Sequence, residues 1–271
     1  MVPFYVPPLD APRASDEERH ALRVATELAL VWRGRNRGRR LTSRTPPSEL
    51  LDLMQGVYTL ECLGMADGTR DLRQQLEERC GAYGVEDFLL FDPAQGAPGG
   101  DVREACLCGA RPPAAARECV ACRRPAVPMS RFDLWLEALV WTFHGCRMRI
   151  GLGACFFTVL EQLGQAFCEL YPLREELSQK DCHYLCYALT HVVYALNNFG
   201  ERSLPASLFP TPVLGFLCAQ LQRAMAADDP DLAGELLDCL KCLGVTHEVT
   251  RHAERFLVAR QSGGDGGWVC M

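Results

Sequence analysis

No stretch of this chain approaches the ~20 consecutive apolar residues that a membrane span requires. Positive charge is not in surplus either. The 28 lysines and arginines stand against 34 aspartates and glutamates, and the net charge of −6 gives no bulk electrostatic case for binding nucleic acid. The start, Met1-Val-Pro-Phe-Tyr-Val-Pro-Pro, lacks the basic-then-apolar layout of a signal peptide, so secretion is not expected. G-x-S-x-G, a Walker-type phosphate loop and a Rossmann fingerprint are all missing, which disfavours an ordinary hydrolase, NTPase or dehydrogenase. What remains is a globular composition, 48% hydrophobic and 23% charged, in 271 residues, enough for one large domain or two small ones.

Cysteine, by contrast, is abundant at 15 residues. A secreted disulfide framework usually belongs to a short, loop-rich chain, whereas most of these cysteines fall inside amphipathic helical stretches. Cys155, Cys168, Cys218 and Cys239 are expected to be small buried apolar side chains in a reducing compartment, cytosol or nucleus.

The apolar spacing is helical nearly throughout, with nine or ten helices and no convincing sheet. Ser15-Asp-Glu-Glu18 has the form of a capping box and starts a helix through Trp32, with Leu22, Ala25, Leu28, Ala29 and Trp32 on one face. A basic loop follows, Arg33 to Arg40 with Arg44. It is either a solvated linker, a phosphate holder or a nuclear address, and it carries no interleaved aromatics for base stacking. Thr45-Pro-Pro-Ser-Glu opens the next helix, which ends at Gly64. A third runs from about Thr69 to Cys80, and Val85 to Phe91 is helix or short strand. After residue 130, helices are expected at Phe132 to His144, Leu152 to Leu170, Ser178 to Phe199, Thr211 to Met225, Leu232 to Leu243 and Val249 to Arg260. Residues 92 to 130 are rich in Cys, Pro and Gly and cannot be a core helix. The expected organisation is therefore a helical part over 15–91, an irregular insertion over 92–130 and a second helical part over 131–271.

Two features point to paired helices. Leu60-Glu-Cys-Leu-Gly-Met65 is echoed by Leu240-Lys-Cys-Leu-Gly-Val245, each closing one helix ahead of another rich in Arg, Glu and Gln. At the end of the chain, Phe256-Leu257, Gln261, Asp265, Gly266, Gly267 and Trp268 make a helix that ends in glutamine, a glycine bend and an indole. This segment resembles the QW repeat of the terpenoid-cyclase and protein-prenyltransferase superfamily of α/α toroids. The resemblance implies an all-α, helical-hairpin fold in which the tryptophan staples neighbouring hairpins. It does not carry the activity. Asp228-Asp229-Pro230-Asp231 has the wrong order for the acidic cluster of class II cyclases and suits a helix cap. The zinc-holding Asp, Cys and His of the prenyltransferases have no clear counterparts.

The strongest chemical motif is Cys106-x-Cys108 followed by Cys119-x-x-Cys122, four thiolates on a Gly/Pro-bounded loop. That set suits a tetrahedral structural zinc, which would fold a segment with almost no apolar core; free thiols or a redox pair are the alternatives. A second cluster lies on one helix, Asp181, Cys182, His183 and Cys186, with Thr190 and His191 a turn or two beyond. It reads either as an acid/base or metal site (Asp181, His183, His191), or as a buried His191 bonded to a backbone carbonyl beside filler cysteines. His144, near a helix end, is placed where the dipole favours a cation. The leading functional expectation is a zinc-stabilised helical scaffold with a protein partner. An enzyme with a toroid cavity for an apolar or peptide-like substrate is the alternative, and nucleic-acid binding comes third.

Overall fold

The computed structural model describes residues 16–96, 102, 108, 113, 116–170, 177–199 and 202–261. Among them are ten α-helices: α1 (Asp16–Asn36), α2 (Pro47–Cys62), α3 (Arg70–Cys80), α4 (Val85–Leu89), α5 (Arg131–Met148), α6 (Phe156–Leu170), α7 (Gln179–Asn197), α8 (Thr211–Ala226), α9 (Pro230–Cys242) and α10 (Glu248–Arg260). The described residues include no strand, only an isolated bridge between Glu118 and Pro125. The fold is all-α, with the cysteine-rich segment irregular between α4 and α5. No described helix is long and apolar enough to cross a membrane.

The chain divides into two compact units, Met1–Tyr171 and Pro172–Met271, so α5 and α6 fall with the helices before them. The first unit is organised on α2, which packs against α1, α3, α4 and α5. Its side chains Leu50, Leu51, Leu53, Met54, Val57 and Leu60 are buried, each worth roughly 1.5–3 kcal/mol on removal from water. Helix α1 meets α2 through Ala25, Ala29 and Trp32. Gly56 permits the approach: a β-carbon there would lie 2.1 Å from the Trp32 ring. Leu28, expected on the core face, is instead half exposed, and it forms an outer stripe with Val24 and Val31. In α5, Trp135 is fully buried edge-on to Phe91, with ring centroids 4.9 Å apart.

The second unit is organised on α9, whose Leu232, Ala233, Leu236, Leu237, Cys239 and Leu240 are buried against α7, α8 and α10. Asp229 caps it, its carboxylate accepting from Leu232 N at 3.0 Å. Of the cysteines expected inside, Cys239 is buried, Cys218 is half-buried and Cys155 is exposed in the turn ahead of α6; the Cys168 side chain lies outside the described residues.

The two echoed segments end their helices in the same way. Met65 N–H reaches back to Leu60 O at 2.8 Å, and Val245 N–H to Leu240 O at 2.9 Å. The left-handed turn between falls on Gly64 (φ 71°) and Gly244 (φ 67°), where a β-carbon would be strained. The residue after the echo's first leucine then ties the helix to its successor: Glu61 to Arg73 on α3, and Lys241 to Glu254 on α10. Arg73 also donates to the Met148 carbonyl at the end of α5. Asp265 to Trp268 lie outside the described residues, so the toroid staple is not among the observed contacts.

Candidate metal centre and a buried polar ladder

Residues 117–126 form a small two-armed loop. Ala126 N–H bonds to Arg117 O at 2.9 Å and Cys119 N–H to Arg124 O at 2.8 Å. Arg123 N–H returns to Cys119 O at 2.9 Å, with Arg123 itself left-handed (φ 60°). This turn folds Cys122 back beside Cys119. Cys119 is fully buried, although the loop's Val120 is two-thirds exposed, so hydrophobic burial is not what closes the segment. Cys108 completes the cluster: its Sγ lies 3.6 Å from that of Cys119, and the three sulfurs of Cys108, Cys119 and Cys122 all lie within 4.8 Å of one another. Three thiols converging from an irregular segment can hold a metal ion. The fourth expected ligand, Cys106, lies outside the described residues.

The second candidate cluster is distributed along α7. Asp181 belongs to the helix start: Ser178 Oγ accepts from Asp181 N–H at 3.0 Å and donates to its carboxylate at 2.8 Å. His183 is exposed, with its ring against Tyr187 at 4.9 Å between centroids. His191 is mostly buried, and its Nδ1 faces the Tyr187 carbonyl at 2.9 Å. At 1.5 Å rise per residue, Asp181 and His191 are about 15 Å apart along the helix, so these three residues do not form one site.

What His191 meets comes from α9. Tyr187 OH donates to Asp231 at 2.6 Å, Thr190 Oγ1 bonds to Glu235 at 2.8 Å, and Tyr194 OH donates to the Glu235 carbonyl at 3.1 Å. The result is a ladder of polar rungs between two otherwise apolar helices. Burial pushes the Glu235 carboxyl up to about 7 and the His191 imidazole below its usual range. The 3.7 Å between His191 Nδ1 and Glu235 Oε2 is ion-pair spacing, but neutral partners fit the hydrogen bonds better. Nδ1 must carry its hydrogen toward the Tyr187 carbonyl, as a neutral imidazole can. The Thr190 hydroxyl has one hydrogen for two acceptors, Tyr187 O at 2.9 Å and Glu235 at 2.8 Å. A protonated Glu235 supplies the missing one. This matches the backbone-bonded reading of His191 and adds an acid that the sequence reading did not name. Its signal was available: Asp231, Glu235 and Asp238 recur at i, i+4 and i+7, as do Tyr187, His191 and Tyr194.

His144 departs from expectation. Helix α5 continues past it to Met148, and the imidazole is fully buried among the rings of Tyr58 (4.9 Å) and Phe143 (5.7 Å). Burial lowers its pKa to about 4, so it is neutral rather than a cation for the helix dipole.

Residues 183–266 match one protein-family model, a Domain of unknown function (DUF6895). The match spans about a third of the chain, lies inside the second unit, and contains the ladder residues from Tyr187 to Asp238 but none of the clustered cysteines. No curated protein and no solved structure matches the chain.

Proposed function

We propose that this chain is a zinc-stabilised helical interaction module. The observation that carries the reading is the convergence of Cys108, Cys119 and Cys122. Tetrahedral zinc with Zn–S near 2.3 Å sets its sulfurs ~3.8 Å apart, and Cys108 and Cys119 stand at 3.6 Å. With Cys106 as fourth ligand the coordination sphere is closed and has no position for substrate. Zinc would then supply the folding free energy of a segment whose own burial is slight. The many cysteines placed inside helices suit a reducing compartment, cytosol or nucleus. The exposed Val24, Leu28 and Val31, spaced i, i+4 and i+7 on α1, suit a polypeptide partner better than a small substrate. Kinship with the α/α toroids is supported by the two like-ended hairpins, α2–α3 and α9–α10.

Metal analysis of the purified chain tests this directly, with about one zinc per chain expected and its loss in Cys119→Ser. Replacement by cobalt should give the intense thiolate charge-transfer spectrum of a four-sulfur tetrahedral site. A spectrum with an exchangeable water position would favour a catalytic centre, and a metal-free chain indifferent to Cys119→Ser would defeat the proposal.

A further inference from the structure

The arginine-rich segment after α1 is not a free linker. Asn36 Nδ2 donates to Trp32 O at 3.0 Å, and Asn36 Oδ1 accepts from Arg39 at 2.9 Å. Arg39 also pairs with Glu49 at 2.6 Å. Gln75 of α3 holds the far side of the loop, accepting from Leu41 N–H at 2.8 Å. Thr45 Oγ1 accepts from Thr42 N–H at 3.0 Å, and Tyr83 OH donates to Thr45 O at 2.8 Å. These bonds fold residues 37–45 back toward α3 beside a half-open cleft of about 460 Å³, inside the ~300–1,000 Å³ range of small-molecule sites.

The lining of the cleft is strongly cationic for a chain that is acidic overall. Arg33, Arg37, Arg39, Arg40 and Arg70 face it, against Asp67 and Asp71. Arg70 pairs with Asp67 at 2.9 Å and Arg39 with Glu49, as above. Among the described residues no carboxylate pairs with Arg33, Arg37 or Arg40. Arg33 is braced from below, its Cδ 3.1 Å from the space a β-carbon on Gly68 would fill. The start of α3 opens on the same cleft. Its N-cap, Thr69, turns its hydroxyl to the Ala66 carbonyl at 2.9 Å and leaves the first-turn N–H groups without a side-chain cap. Trp32 forms one wall.

We propose that this cleft binds a small molecule carrying two or more phosphates. Five arginines line the cleft against two aspartates, and three of the five have no carboxylate partner among the described residues, more positive charge than a single phosphate offsets. Planar guanidinium forks match phosphate oxygens bidentately, and the α3 amides add donors of the same preference. A nucleic-acid strand is the less fitting occupant, because the cationic groups gather at one cleft instead of following an extended track with interleaved aromatics.

Calorimetric titration of the full chain at low salt tests the proposal, with inorganic pyrophosphate, ADP, adenosine and a single-stranded oligonucleotide as probes. Pyrophosphate and ADP should bind at one per chain and adenosine should not. The exposed pair Arg37→Ala/Arg40→Ala, whose helical content by circular dichroism should be unchanged, should weaken binding at least tenfold. Arg44→Ala, an equally exposed change outside the cleft, should shift it less than twofold. Absence of binding by both phosphorylated probes at millimolar concentration would overturn the proposal. So would an oligonucleotide that binds more tightly than either and loses as much affinity on Arg44→Ala as on the cleft pair, since charge spread over a surface would then explain it.

Discussion

Replacing Glu235 by glutamine should abolish a pH dependence that the native second unit carries. The carboxyl is held at about 7 in the folded chain, against 4.5 for the free group. A raised folded pKa means its stabilising contribution is complete below about 4.5 and disappears as pH climbs through 7. At ~1.4 kcal/mol per pH unit, ionising it inside the α7–α9 ladder costs about 3 kcal/mol. Two neighbouring acids modulate this. Asp231 is tied to Tyr187, and Asp238 is raised by its own burial. His191 acts with opposite sign: its folded pKa is lowered, so its contribution is present above 6.5 and falls away in acid. The wild-type profile below pH 6.5 is therefore flattened, and the difference between variant and wild type isolates the carboxyl. Glutamine keeps the Thr190 contact, donating where the protonated acid donated. Hydrogen exchange of the α7 and α9 amides, corrected for intrinsic rates, reads the opening free energy locally. Protection in Glu235→Gln should equal wild type near pH 4.5 and exceed it by about two orders of magnitude at pH 8. Parallel profiles for the two proteins would refute the protonated-acid assignment.

Other expectations follow from single contacts. Gly56→Ala should cost about 1–3 kcal/mol, since its β-carbon collides with the Trp32 ring; urea unfolding, with a red-shifted tryptophan emission, would show α1 loosened from α2. Arg149→Gly should stabilise the first unit by about 0.5–1 kcal/mol, because Arg149 closes α5 with a left-handed backbone (φ 59°) that glycine adopts without strain. Asp229→Ala should destabilise the second unit by about 1 kcal/mol in denaturant titration through loss of the α9 cap, and Asp229→Ser should recover most of it. If Cys108, Cys119 and Cys122 hold a metal as proposed, a chelator should leave the helical circular dichroism nearly intact while exposing 117–126 to protease, because that loop holds little apolar surface of its own.

Helices were legible because their apolar residues recur at the helical period and their ends carry recognisable caps: Ser178 and Asp229 at starts, Gly64 and Gly244 at stops. The glycine-rich end of the insertion and the four-cysteine spacing also announced an irregular, thiol-bearing segment. What sequence distance concealed was pairing across helices. His191 showed no carboxylate near it in sequence other than Asp181, since its acid lies 45 residues beyond Thr190 on α9. Asp181, His183 and His191 show the converse: closeness along one helix still leaves its ends about 15 Å apart. Leu28 and Cys155 show a further limit. Periodicity marks an apolar residue, but only packing decides whether a neighbour arrives to cover it. The same limit applied to His144, whose fate was set by rings from α2 and from its own helix that spacing alone could not bring together.

The cross-ties of the two like-ended hairpins have opposite polarity. In one, the first helix offers an anion to a cation on the second (Glu61 to Arg73); in the other, the cation comes first (Lys241 to Glu254). The partners also sit at different distances along the chain, 12 residues apart in the first hairpin and 13 in the second. The two hairpins thus share one backbone closure at Gly64 and Gly244 while their side-chain ties are independent, so reversing the charge of one tie should leave the other hairpin untouched.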